Sequence, residues 1–157
     1  MYNKWSREQK NYEGLQQSIQ SLVVVFSPEM VVAVNQQKGK IYGWTADQLE
    51  QFISQEKLEL EKKTKVFLGF YFSQRRLGSL TRKNSPWKIL LDVDGKRFVG
   101  ELKKDRTSMA ELRRLYPDLT LWQTPYQVEF GVPWKFLEGK SFTIHISGPL
   151  GYQNFTF

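Results

Sequence analysis

Lys65-Val66-Phe67-Leu68-Gly69-Phe70-Tyr71-Phe72 decides how the rest of the chain is read. Its large side chains alternate, with Val66, Leu68, Phe70 and Phe72 on one face and Phe67 and Tyr71 on the other. A strand with that pattern buries both faces, so it belongs in the middle of a sheet with a packed layer on each side.

Upstream, Leu22-Val23-Val24-Val25-Phe26 is rich in β-branched residues and reads as a second buried strand. Between these strands, residues 27–63 read as a helical hairpin. Ser27-Pro28-Glu29 combines a hydroxyl cap, proline at the first helical position and an acid in the positive first turn. Met30, Val34, Gln37 and Ile41 follow at helical spacing, and Gly39 or Gly43 can end the element. Thr45-Ala46-Asp47-Gln48 is a capping box, with Trp44 and Leu49 placed as a hydrophobic staple. Leu49, Phe52, Ile53 and Leu60 give the second helix an apolar stripe, and Glu59 and Lys63 are spaced for an i,i+4 ion pair. Residues 1–13 read as a polar arm anchored by Trp5 and Tyr12.

Residues 65–157 carry the main strands. Trp87 to Val93 is one, Asp94-Gly95 is a two-residue hairpin signal, and Lys96 to Val99 returns from it. Ser108-Met109-Ala110-Glu111 is a second capping box, opening a short helix over 109–116 that Pro117 stops. Tyr126 to Phe130 and Phe142 to Ile146 alternate apolar and polar residues, and Gly148-Pro149-Leu150-Gly151 turns the chain into a last strand. About seven strands without a repeating βαβ rhythm predict a mainly β, antiparallel β-sandwich, immunoglobulin- or transthyretin-like in architecture, with the helical hairpin inserted near its N-terminus. The 157 residues form one domain, 1–157, with an ordinary apolar share of 40% and no internal repeat or linker.

The absence of cysteine excludes disulfides, thiolate nucleophiles and thiolate metal sites. Met1 to Glu8 is followed by no apolar h-region, so no signal peptide is expected in the chain as it stands, and the longest apolar run, Leu22 to Phe26, is too short to cross a bilayer.

No residue is assigned to catalysis. The only histidine, His145, lies between Ile144 and Ile146 and is expected to face outward from a strand with Thr143 and Ser147. One histidine without cysteine is a poor start for zinc, and no G-x-S-x-G motif supports a serine nucleophile. Asp92 and Asp94 lead into a hairpin turn, where aspartate bonds locally, and Glu56, Glu59 and Glu61 lie among lysines on a helix. The scattered glycines form no phosphate-binding loop, and Leu68 stands where an RNA-recognition motif needs Lys or Arg before Gly69. The chain therefore reads as a non-enzyme without metal or cofactor.

Charge carries more information. Net charge is +7, and residues 64–114 hold thirteen basic against five acidic residues while residues 1–63 are balanced, eight against eight. The cluster comprises Arg75, Arg76, Arg82 and Lys83 in an acid-free loop over 73–84, then Lys103, Lys104 and Arg106, then Arg113 and Arg114. Six arginines against three lysines suit bidentate contacts to phosphate or carboxylate. Such a field steers acidic partners, although it equally fits a surface charged for solubility.

Ser85-Pro86-Trp87, Leu115-Tyr116-Pro117, Tyr126 to Phe130 and Ser147 to Gly151 resemble the mature part of small, uncharacterised lipoproteins of bacterial envelopes. The resemblance implies export to the periplasm or outer membrane and anchoring through a lipidated cysteine upstream of this chain. The expected function is a binding or scaffolding domain with a basic patch for an acidic protein or polyanion. A cytosolic nucleic-acid-binding protein is the alternative, and a hydrolase with an unrecognised site a distant third.

Overall fold

Residues 2–73, 80–81 and 84–157 are described in a computed structural model of the chain. Arg75, Arg76, Arg82 and Lys83 of the basic cluster lie outside the described residues.

The apolar alternation at 65–72 builds β3 (Thr64–Phe72), the third of five strands in a sheet ordered β1-β2-β3-β7-β6. Its neighbours are β2 (Gln16–Val25) and β7 (Thr124–Phe130), both antiparallel, with Leu22 opposite Gly69 and Leu68 opposite Tyr126. The second sheet is ordered β5-β4-β8-β9, from β4 (Lys88–Val93), β5 (Lys96–Val99), β8 (Thr143–Gly148) and β9 (Gly151–Thr156), again antiparallel throughout. Strand accounts for 41% and helix for 30%, so the chain is mainly β.

Both faces of β3 are covered. Phe70 and Phe72 meet Trp87, which enters β4, at ring distances of 5.0 and 5.5 Å. On the opposite face Phe67 stacks on Tyr116 at 3.9 Å, just after α4 (Met109–Leu115). The buried residues of both sheets and of the helices join one core. Helices thus form a third layer outside the five-stranded sheet.

α2 (Pro28–Tyr42) starts on Ser27, whose hydroxyl accepts the Met30 amide, and ends on Gly43 in the left-handed conformation. α3 (Ala46–Leu60) carries the complete Thr45–Gln48 capping box. Its apolar stripe is only partly covered: Leu60 is buried, Leu49 and Ile53 are half-buried, and Phe52 is exposed but stacks on Trp44 at 4.2 Å. The expected Glu59–Lys63 pair does not form. The helix stops at Leu60, so Lys63 bonds Glu129 at 2.9 Å and Glu59 pairs with Lys65 of β3, tying the helix end to the sheet. The second capping box is half-formed. Ser108 accepts the Glu111 amide, while the Glu111 carboxylate accepts the Tyr42 hydroxyl at 2.6 Å and binds α4 to α2.

Two strands escape the sequence pattern, giving nine among the described residues. In place of a polar arm over 1–13, the chain forms α1 (Tyr2–Trp5) and β1 (Ser6–Glu13). β1 is an edge strand, which needs charge rather than apolar alternation to discourage further pairing. Trp5 is an anchor, packed edge-on against Trp134 at 5.4 Å, but Tyr12 is exposed. β6 (Glu101–Lys104) is the other missed strand, an edge strand whose single apolar residue, Leu102, pairs with Val128.

The two sheets are joined at both sides. Gln153 of β9, fully buried, accepts from the Ser21 hydroxyl and donates to the Gln9 carbonyl and Asn11 side chain of β1. At the other side the chain passes from β5 through Gly100 into β6, and the Gly100 amide bonds Ile89 O at 2.8 Å. Asp94 and Gly95 both take positive φ, 52° and 73°, as the hairpin signal requires.

Candidate functional site

The structure places five residues of the basic cluster. Lys103 and Lys104 belong to strand β6, not to a loop, so their side chains leave opposite faces of the sheet. Arg106 follows in the turn, and Arg113 and Arg114 occupy the last turn of α4, where cations suit the negative end of a helix. All five are exposed. Among the described residues none of them has a carboxylate within ion-pair distance, whereas Lys4, Lys10, Lys63, Lys65, Arg97 and Lys140 each do. Arg113 turns back instead, donating Nε–H to Leu119 O at 3.3 Å.

The opposed directions of Lys103 and Lys104 lead into two clefts. Lys103 lines a cleft of about 240 Å³ between the helices and the sheet. Its floor is apolar, from Val31, Leu60 and Leu112, with the Tyr116 ring against Phe67. Around it stand Lys38, Lys65 and Lys103 against Glu56, Asp105 and Glu129, a balanced set. Asp105 accepts Gln127 Nε2 at 2.6 Å and the Thr107 amide at 3.0 Å, and Glu56 accepts Asn35 Nδ2 at 2.7 Å. Burial, then the charges of Asp105 and Glu56, push the Tyr116 phenol well above its ordinary pKa, so it stays protonated.

Lys104 lines a second cleft of about 380 Å³ with Tyr71, Phe72, Leu121, Trp122 and Tyr126. The turn bearing Leu121 and Trp122 is held from below. Gln123, buried, accepts the Thr120 amide and donates to Gln20 O and Gly69 O, so the turn is fixed to β2 and β3 together. Trp122 is nevertheless 73% exposed and Leu121 67%. Sequence reading misses this pair because 117–125 has no period; the available signal is two large apolar residues inside a turn-forming segment.

His145 is the other surprise. It faces outward from β8 as expected, yet sits in a polar ladder across four strands. Arg97 of β5 holds Asp92 of β4 through Nε at 2.7 Å and Nη2 at 2.8 Å. Asp92 Oδ2 lies 2.9 Å from His145 Nε2, and His145 Nδ1 bonds Asn154 of β9. Both ring nitrogens are engaged, which leaves neither to activate a nucleophile. The Arg97 hydrogen bonds hold the Asp92 carboxyl below its ordinary pKa. Asp92 therefore bonds across strands rather than within its turn, and Asp94 pairs with Lys140 at 2.8 Å.

Among the described residues no group of three His, Asp or Glu side chains is placed to hold a metal, and no helix is long and apolar enough to cross a membrane. No known protein family, curated protein or solved structure matches this chain.

Proposed function

We propose that this chain is a non-enzymatic binding or scaffolding domain of the bacterial cell envelope, the soluble part of a lipoprotein, that receives an acidic partner on its basic β6–α4 surface. The observation that carries the reading is the exposure of Lys103, Lys104, Arg106, Arg113 and Arg114 without carboxylate partners among the described residues. Lys4, Lys10, Lys63, Lys65, Arg97 and Lys140 are paired with neighbouring acids. The five on the β6–α4 surface keep their charge available to a ligand, and three are arginines suited to carboxylate or phosphate. The envelope assignment rests on the lipoprotein-like segments from Ser85 to Gly151. An immunoglobulin- or transthyretin-like arrangement is part of the same proposal, supported by two antiparallel sheets around one core.

A pull-down from envelope extract tests it, with wild type against a variant carrying serine at all five positions. Acidic proteins should be retained by wild type at low salt, released as salt screens the field, and lost with the variant. Equal retention by both proteins would remove the β6–α4 surface from the account. Retention of nucleic acid alone would favour the cytosolic nucleic-acid reading.

A further inference from the structure

Large exposed apolar side chains are ordinary when scattered, and informative when they gather. Of the nine among the described residues, five gather at one end of the two-sheet body, while Tyr42, Phe52, Leu58 and Val99 lie elsewhere. Leu15, fully exposed, tips the β1–β2 turn, with Tyr12 exposed beside it. Leu121 and Trp122 tip the turn before β7, whose Thr124 stands opposite Phe70 near the end of β3. Tyr152, also exposed, follows the β8–β9 turn and accepts the Asn11 side chain at its carbonyl, which places it beside Asn11 near the end of β1. The strand registers put all three turns at the same end, because Ile19 pairs with Phe72, Phe72 meets Trp87, and Lys88 pairs with Ser147.

Lys88 and Lys104 stand at this end, exposed and without carboxylate partners among the described residues, against one exposed acid, Glu13, which flanks the Leu15 turn opposite Gln16. The whole chain carries +7. The Leu121–Trp122 turn is held rigidly by Gln123, so its exposure is built in rather than a fluctuation.

We infer that this end of the molecule docks onto an anionic lipid surface, with Leu15, Leu121 and Trp122 entering the headgroup boundary, Tyr12 and Tyr152 lying at its level, and Lys88 and Lys104 meeting acidic headgroups. Tryptophan and tyrosine favour that boundary, and aliphatic tips gain by leaving water there. Anionic headgroups attract the basic chain. Single-stranded nucleic acid fits less well, because two of the three inserted side chains are leucines with no π face for a base to stack on. The inference shares only Lys104 with the acidic-partner reading, and its test leaves Lys103, Lys104, Arg106, Arg113 and Arg114 untouched.

Co-sedimentation of the full chain with vesicles tests it, comparing pure phosphatidylcholine with vesicles containing roughly 30% phosphatidylglycerol. Wild type should partition onto the anionic vesicles. Leu121→Ser with Trp122→Ser should weaken partition about tenfold or more, and Leu15→Ser about threefold or more, without lowering the melting temperature. The emission difference between wild type and Trp122→Phe should shift to the blue on anionic vesicles only. Wild type left in the supernatant, or variants that partition equally well, would overturn the inference. So would displacement of the vesicles by a single-stranded oligonucleotide that quenches Trp122, which would assign this end to nucleic acid.

Discussion

The indole of Trp87 occupies the space in which any residue other than glycine at position 148 would place its Cβ. A Cβ there would lie 2.0 Å from Cε3 of the ring and 2.4 Å from Cδ2. Glycine is needed at 148 to let an aromatic side chain from the entry of β4 lie across β8, and Phe70 and Phe72 close the ring in from the other sheet.

Gly148→Ala should therefore destabilise the fold by about 1–3 kcal/mol, the range for overpacking a filled core. Trp87→Ala should cost about 3–5 kcal/mol by leaving a cavity between the sheets. Trp87→Phe should cost less than Trp87→Ala, since it keeps most of the ring and removes an indole N–H that has no acceptor among the described residues. Urea denaturation of the three variants measures the order. A milder loss for Trp87→Ala than for Trp87→Phe would show the ring is not packed as described.

Gly100 plays a comparable part where the chain changes sheets. A Cβ there would lie 2.7 Å from Val128 Cγ1 and 3.3 Å from the Ile89 carbonyl, so backbone as well as side chain must yield. Gly100→Ala should lower stability by about 1–3 kcal/mol, and hydrogen exchange should quicken at the Gly100 amide bonded to Ile89. Unchanged exchange would detach β6 from this crossing.

Gln123 should prove sensitive to charge as well as size. Its side chain donates to two buried carbonyls and accepts one amide, a combination a carboxylate cannot supply. Gln123→Glu should destabilise more than Gln123→Ala, for which the loss is about 1–3 kcal/mol. Thermal melts at neutral pH decide it, and the reverse order would mean the side chain opens to water.

The ladder through Asp92 gives a pH signature. Its carboxyl is held below the ordinary value by Arg97, so its contribution is fully present above the usual carboxylate range, near 3.9, and fades as pH falls through the lowered value. Asp92→Asn should cost about 1 kcal/mol or less at pH 7, as expected for a partly exposed pair. The gap between wild type and variant should close progressively in acid, and a gap that widened there would reverse the assigned direction.

Much of this architecture is legible from local signals. The capping box at Thr45, the alternation of β3 and β7 and the Asp94-Gly95 turn each depend on neighbours in sequence, and each forms. Edge strands β1 and β6 carry no such signal, because an edge needs little apolar surface and uses charge to stay unpaired. The site was less legible. Lys103 and Lys104 look like one patch in sequence, yet a strand sends them to opposite faces. The Asp92–His145 contact and the support of the Trp122 turn by Gly69 and Gln20 join residues that lie 53, 54 and 103 positions apart, so no local signal announces them.

The basic surface is tested most directly by titrating the protein with polyglutamate over a range of salt concentrations. Wild type should bind at about 0.05 M salt, with log affinity falling steadily as salt is added. Serine at Lys103, Lys104, Arg106, Arg113 and Arg114 should remove most of that binding and flatten the salt dependence, while the melting temperature stays where it was, since all five side chains are exposed. Equal binding by the two proteins, or none by wild type, would contradict the account.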